Sequence, residues 1–185
     1  MTAEPTSARV RHALAFPIET PRLIIRSFEV GDAEMLHERV FGDEETMKFI
    51  PRGASPSVER TRGAVERFIR HEREHGFGLW ATTYKKTDQL IGRCGLIPWT
   101  IDGRSEVEVA YLLARAHWGR GLGTEAARAI LTYGFEQAHL TRLICLIDPA
   151  NTASVNVAVK IGMSLERDTE IDGERTLVYS AAQPA

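Results

Sequence analysis

Three glycines within five residues, Gly119-Arg120-Gly121-Leu122-Gly123, separate a strand pattern from a helix pattern, and this constrains the 185-residue chain more than any other stretch. Upstream, Glu106-Val107-Glu108-Val109-Ala110-Tyr111-Leu112-Leu113 reads as a buried strand. Downstream, Thr124 to Ala138 places apolar or small residues at Ala127, Ile130, Leu131, Gly134 and Ala138, the spacing of one helix face. Strand, glycine turn and helix together aim unpaired backbone N–H groups and a positive helix end at an anion, most often a phosphate. Without Cβ atoms in the way, the backbone comes close to its ligand. A phosphorylated ligand is the expectation.

Three readings of the loop compete. A nucleotide-binding P-loop puts Lys and then Ser or Thr after its last glycine, whereas Thr124-Glu125 follows here. A dinucleotide turn wants an acidic residue closing the next strand, and Leu143-Ile144-Cys145-Leu146-Ile147 does end at Asp148. A tight connection that binds nothing is the third, although three glycines and Arg120 exceed what a turn requires.

The rest of the chain reads as one mixed α/β domain. Gly31-Asp32 is placed to cap a helix burying Leu36 and Val40. Ser55 or Ser57 opens another, with Val58, Val65, Phe68 and Ile69 inward, that runs through the charged stretch Arg70 to His75 and stops at Gly76. Leu79–Tyr84 and Leu90–Ile97 form a hairpin around Lys85-Lys86-Thr87-Asp88. A strand over residues 142–147, a helix capped by Asn151 and ended by Gly162, and two strands around Asp172-Gly173 complete the order. Residues 1–15 lack the apolar core of a signal peptide, so residues 1–17 are read as a flexible leader and the location as cytoplasmic. The longest apolar run, Val109 to Ala114, is too short for a bilayer. A net charge of −2 with dispersed basic residues argues against nucleic acid. Cys94 and Cys145 lie in apolar strand patterns and read as buried structural thiols; no cluster has metal-ligand spacing.

Glu106 and Glu108, two apart on a strand, share a face. Acidic residues there point to a cleft and a proton acceptor; a solvent-facing stripe or a cross-strand pair with Arg93 is the plainer explanation. Asn151 and Ser154 have ordinary work as a helix cap and a first-turn hydroxyl.

The glycine loop resembles the acetyl-CoA pyrophosphate loop of the GNAT acetyltransferase superfamily, and the chain is similar in particular to the branch with the ribosomal-protein N-terminal acetyltransferases. Thr20-Pro21-Arg22-Leu23-Ile24-Ile25-Arg26 resembles that branch's first strand. Leu90-Ile91-Gly92-Arg93-Cys94-Gly95-Leu96 resembles its third, and Val107-Glu108-Val109-Ala110-Tyr111 its fourth. Asn151-Thr152-Ala153-Ser154, continuing to Lys160-Ile161-Gly162-Met163, resembles the second cofactor-side helix. The likeness runs from Glu19 to Tyr179, so residues 18–181 are expected to be a single GNAT domain. It implies a twisted mixed sheet of about seven strands, splayed at its centre, with about four helices.

The resemblance further implies acetyl-CoA as donor, with its pyrophosphate on Gly119, Arg120, Gly121, Leu122, Gly123 and Thr124. Pantetheine would run along Tyr111, Leu112 and Leu113 as an added strand, near Asn151 and Asn156, with Lys160 attracting phosphate. Glu108 is the matching general base, supported by Glu106, and Ser154 the matching group near the thioester sulfur. Two positions depart from the pattern. Trp118 stands where Gln or Arg is frequent, and Ala158 where many members carry a Tyr acid. The expected activity is direct acetyl transfer to a primary amine, of a protein N-terminus or a small molecule. A non-catalytic acyl-CoA-binding regulatory module is the alternative, and a homodimer stays open.

Overall fold

The computed structural model describes residues 17–183. Apart from Pro17, the expected leader lies outside them. Eight strands form one sheet in the order β1-β2-β3-β4-β5-β6-β8-β7. In chain order these are β1 (Ile18–Glu19), β2 (Leu23–Arg26), β3 (Leu79–Tyr84), β4 (Gln89–Ile101), β5 (Arg104–Leu113), β6 (Arg142–Ile147), β7 (Ser164–Ile171) and β8 (Glu174–Ala182). Five α-helices accompany them: α1 (Ala33–Leu36), α2 (Glu44–Met47), α3 (Val58–His75), α4 (Leu122–Glu136) and α5 (Thr152–Lys160). The larger count comes from pieces too short for a periodic signal, namely β1 and α2.

Every pairing is antiparallel except β5 with β6, which run parallel and share a single ladder pair, Glu108 with Ile144. By contrast β4 and β5 pair from Gly92–Leu113 to Ile101–Arg104, and β6 and β8 from Arg142–Ala182 to Ile147–Leu177. The sheet therefore parts at its centre, immediately beyond Glu108.

Alternation along β5 sends Val109 and Leu113 into the core beneath α4 and α5, with Leu122, Ala126, Ile130, Leu143 and Tyr179. Leu112 faces the opposite layer, where Phe28, Leu36, Val40, Phe41 and Val65 bury the inner sides of α1 and α3. The Gly31–Asp32 cap takes another form. Residues 30–32 wind as a 3-10 turn, α1 follows, and residues 37–41 widen into a π turn, yet Leu36 and Val40 are fully buried as expected. Asp32 accepts from the backbone N–H of Glu29 at 2.8 Å and pairs with Arg26 at 2.7 Å. Helix α3 behaves as its sequence reads, with Ser57 accepting from the Arg60 N–H and Gly76 closing it at φ 79°. Among the described residues no helix is long and apolar enough to cross a membrane.

Candidate active site

The loop between β5 and α4 turns on two left-handed glycines, Gly119 at φ 70° and Gly121 at φ 75°. Gly121 is the N-cap of α4 and offers no side-chain acceptor. The bond closing the helix's first turn runs from the Glu125 N–H to the Gly121 carbonyl at 3.1 Å. The N–H groups of Leu122, Gly123 and Thr124 precede it and lie outside the helix's own ladder. Nothing lies within 4 Å of where a Gly119 Cβ would sit. Unpaired donors, a positive helix end and open space fit a pyrophosphate. The Arg120 guanidinium turns back onto Tyr84, 3.1 Å from the hydroxyl and 5.2 Å from the ring centre.

The early Thr20-Pro21-Arg22 segment braces this loop. Arg22 donates through Nη1 to the Arg120 carbonyl at 2.8 Å and through Nε to Glu125 at 2.6 Å. Glu125 also accepts from the Arg22 N–H and the Thr20 hydroxyl. Burial works against its charge, but these bonds hold its pKa below the ordinary carboxylate range. Neither Arg22 nor Glu125 was singled out as a functional residue, although both fall within recognised motifs.

Where β5 leaves β6, the parity of the β4–β5 ladder decides which backbone groups face the gap. The Ala114 N–H donates to Ile91 at 2.7 Å, so the next bonded pair is Leu112 with Arg93. Leu112 therefore spends its backbone groups on β4. Tyr111 and Leu113 present theirs to the gap. On the same edge, the Val109 carbonyl lies 3.2 Å from the Cys145 thiol, and the Leu113 carbonyl accepts the Trp118 indole N–H at 2.7 Å. The Tyr111 side chain packs in the core face and donates to the Ser154 carbonyl at 3.0 Å, linking β5 to α5 across the gap. Burial raises its pKa well above that of a free phenol.

Asn151 caps α5, its side chain accepting from the Ser154 N–H at 3.1 Å. Asn156 and Lys160 are exposed, four residues apart on α5, and the Lys160 carbonyl takes a bond from Arg128. Ala158 is fully buried in the core, so that position offers no acid.

On the opposite face Glu108 is half-buried beside the last β5–β6 pair. It accepts from the Trp99 indole N–H at 2.7 Å. Desolvation lifts its pKa to about 7, against the opposing pull of Trp99, of the Arg93 charge and of the Leu146 backbone. Glu106 is elsewhere engaged. It binds Arg142 at 3.0 Å, and Arg142 also holds Glu166 at 2.8 Å, so the expected support for Glu108 is replaced by a brace between β5, β6 and β7. Cys94 and Cys145 are buried and unpaired; burial pushes the Cys94 thiol up to about 12, and neither is placed as an acyl carrier. No cluster of His, Cys, Asp or Glu among the described residues could hold a metal ion.

Known proteins resemble this chain in sequence and in fold. The acetyltransferase (GNAT) domain profile matches residues 22–164. The uncharacterized protein YkkB of Bacillus subtilis (strain 168) is 38% identical over 144 residues, 78% of this chain and 83% of its own. The uncharacterized N-acetyltransferase YnaD of the same organism is 31% identical over 149 residues, 80% and 83% of the two chains. A GNAT-family acetyltransferase from Bacillus anthracis superimposes with a TM-score of 0.77 at 28% identity, covering 90% of this chain and 98% of the other. The chain belongs to the GNAT acetyltransferase family.

Proposed function

We propose that the protein transfers an acetyl group from acetyl-CoA directly to a primary amine, of a small molecule or a protein N-terminus, with Glu108 as general base. The observation that carries this is the place of Glu108: a desolvated carboxylate titrating near neutrality, at the point where the sheet opens. A base is most effective when its pKa lies close to the working pH.

In this reading the pyrophosphate rests on the backbone of residues 119–124, and the pantetheine amides pair with Tyr111 and Leu113. The donor brings an acetyl thioester; the other tasks fall to residues of this chain. Glu108 takes a proton from the acceptor ammonium, and the freed lone pair attacks the thioester carbonyl. The C–N bond forms, the C–S bond breaks with its electron pair leaving on the CoA sulfur, and the second proton shed by the nitrogen passes to that thiolate or to water. With Ala158 buried, that thiolate departs without a Tyr acid, and Ser154 serves to orient the sulfur end rather than to protonate it. Ser154 and the cofactor contacts of Asn151, Asn156 and Lys160 belong to this reading.

Glu108→Gln tests it. Acetyl transfer to a proven acceptor should fall at least about 100-fold, the usual weight of a positioned base. Acetyl-CoA affinity measured by calorimetry should stay within about threefold, because the carboxyl lies on the acceptor face. Undiminished turnover would remove Glu108 from the mechanism.

A further inference from the structure

Arg93 is the least satisfied group near this site. It projects from β4 into the layer beneath α3, is 8% exposed, and its Nε and Nη1 are buried without a hydrogen-bond partner. Its guanidinium carbon lies 5.8 Å from the Phe41 ring centre and 6.0 Å from that of Phe68, so aromatic faces surround it where an acceptor is missing. Glu108, on the same face, is the carboxylate acting on its charge, yet the two are not hydrogen-bonded. A buried donor left unmade is costly, and two on one guanidinium call for an anion or a carbonyl that arrives with a ligand.

The register shows where that ligand would lie. Arg93 is opposite Leu112, Gly95 opposite Ala110, and Ile97 opposite Glu108. Between the arginine and the carboxylate the sheet thus offers only Gly95 and Ala110 as a floor. Gly95 has to stay bare, since a Cβ would fall 2.0 Å from the Gly78 carbonyl oxygen. A groove of about 430 Å³ opens at the Ile97 end of this floor, walled by Phe68, Leu79, Leu96, Ile97 and Pro98, with Arg67, Arg70, His71 and Glu74 of α3 on its rim. It is large enough for a metabolite of amino-acid size, and its rim carries two arginines against one glutamate.

We infer that the acceptor is an α-amino acid, whose amine reaches Glu108 while its carboxylate is held by Arg93. The inference rests on the acetyl-transfer reading above and names its substrate class. A carboxylate on the Nε/Nη2 or the Nη1/Nη2 edge takes one of the two unmade donors in a parallel pair of N–H bonds, and the aromatic cage keeps water from competing. Acetylation of the amine leaves the carboxylate in place, so Arg93 recognises the acceptor without entering the bond changes.

The test pairs each of the common L-amino acids with its α-carboxamide, which matches it in size and lacks the charge. CoA release is followed with both members, with simple alkylamines and with peptides bearing free N-termini. The wild type should favour at least one acid over its amide by about 10- to 100-fold in kcat/KM, mainly through KM, as charge-assisted hydrogen bonds allow. In Arg93→Met the ratio should fall towards one. Its melting temperature should equal or exceed the wild type's, because an apolar side chain of similar volume removes two unmade donors. An arginine that merely holds the layer together would lower the melting temperature instead. Arg93→Lys should keep part of the preference. Equal use of acids and amides, or a preference that survives in Arg93→Met, overturns the inference. Turnover of alkylamines, or of peptides through their N-termini, but of no amino acid overturns it while leaving acetyl transfer standing; turnover of none of these amines overturns both.

Discussion

Glu108 carries two opposed demands. Its burial favours the neutral acid, and its proposed work needs the anion. With a folded pKa raised from 4.5 to about 7, the folded protein holds a proton that the unfolded chain has already lost between those values. Stability from this group is therefore complete below the unfolded pKa and declines as pH rises through 7. Glu108→Gln lacks the titration, so thermal melts from pH 5 to pH 8 should show the variant gaining on the wild type as pH increases. A gap that shrinks with pH would contradict the assigned direction. Activity should run the other way. The acidic limb of kcat/KM should rise with a midpoint near 7, as the base form fills. Both curves read one carboxyl, so the stability difference should level off near the pH at which kcat/KM reaches half its plateau.

The elements locate this residue, and their braces are testable in turn. Glu125 gathers Thr20 and Arg22 against the cofactor loop, at a pair whose side chains are 14% and 43% exposed. Glu125→Ala should reduce stability by about 1–2 kcal/mol, discounted for solvent on the arginine, as read by urea denaturation. It should also weaken acetyl-CoA binding, because Arg22 then loses its hold near the Arg120 carbonyl. Unchanged affinity would make the brace purely structural. Much at this scale was legible in the chain. Gly121 and the spacing after it foretold α4, Ser57 and Gly76 bounded α3, and Asp172-Gly173 marked the last hairpin. What stayed hidden depends on neighbours distant in sequence. Arg142 takes Glu106 from 36 residues away, and no local pattern in β5 announces it. The backbone bonds of Leu112 to β4 stayed hidden as well, because alternation tells which face a side chain takes, whereas the edge its backbone serves is set by the neighbouring strand. Residues 30–47 pass through 3-10, α and π turns, so their apolar positions fit no single period. Arg93 was visible only as a candidate partner for an acidic residue; its unmade bonds require the aromatic rings around it.

The whole molecule is two sheet halves that share the core beneath α4 and α5 and one backbone pair at their junction. A donor lying in the seam contacts both halves and should stabilise the fold as a unit. Acetyl-CoA at a hundred times its dissociation constant should add about 2.7 kcal/mol. For a chain of this size that raises the melting temperature by roughly 5–10 °C. NAD and ATP, the ligands of the competing readings of the loop, should shift it little; an equal shift with either would move the donor assignment. Hydrogen exchange should slow most at the amides of Tyr111 and Leu113, the seam edge that β4 leaves unserved. The same junction has a mechanical meaning. A load pulling β4 away from β8 is borne elsewhere by continuous ladders, but between Glu108 and Ile144 by one rung and the side chains around it. The molecule should tear first along that line, and a bound donor would act there as a splint.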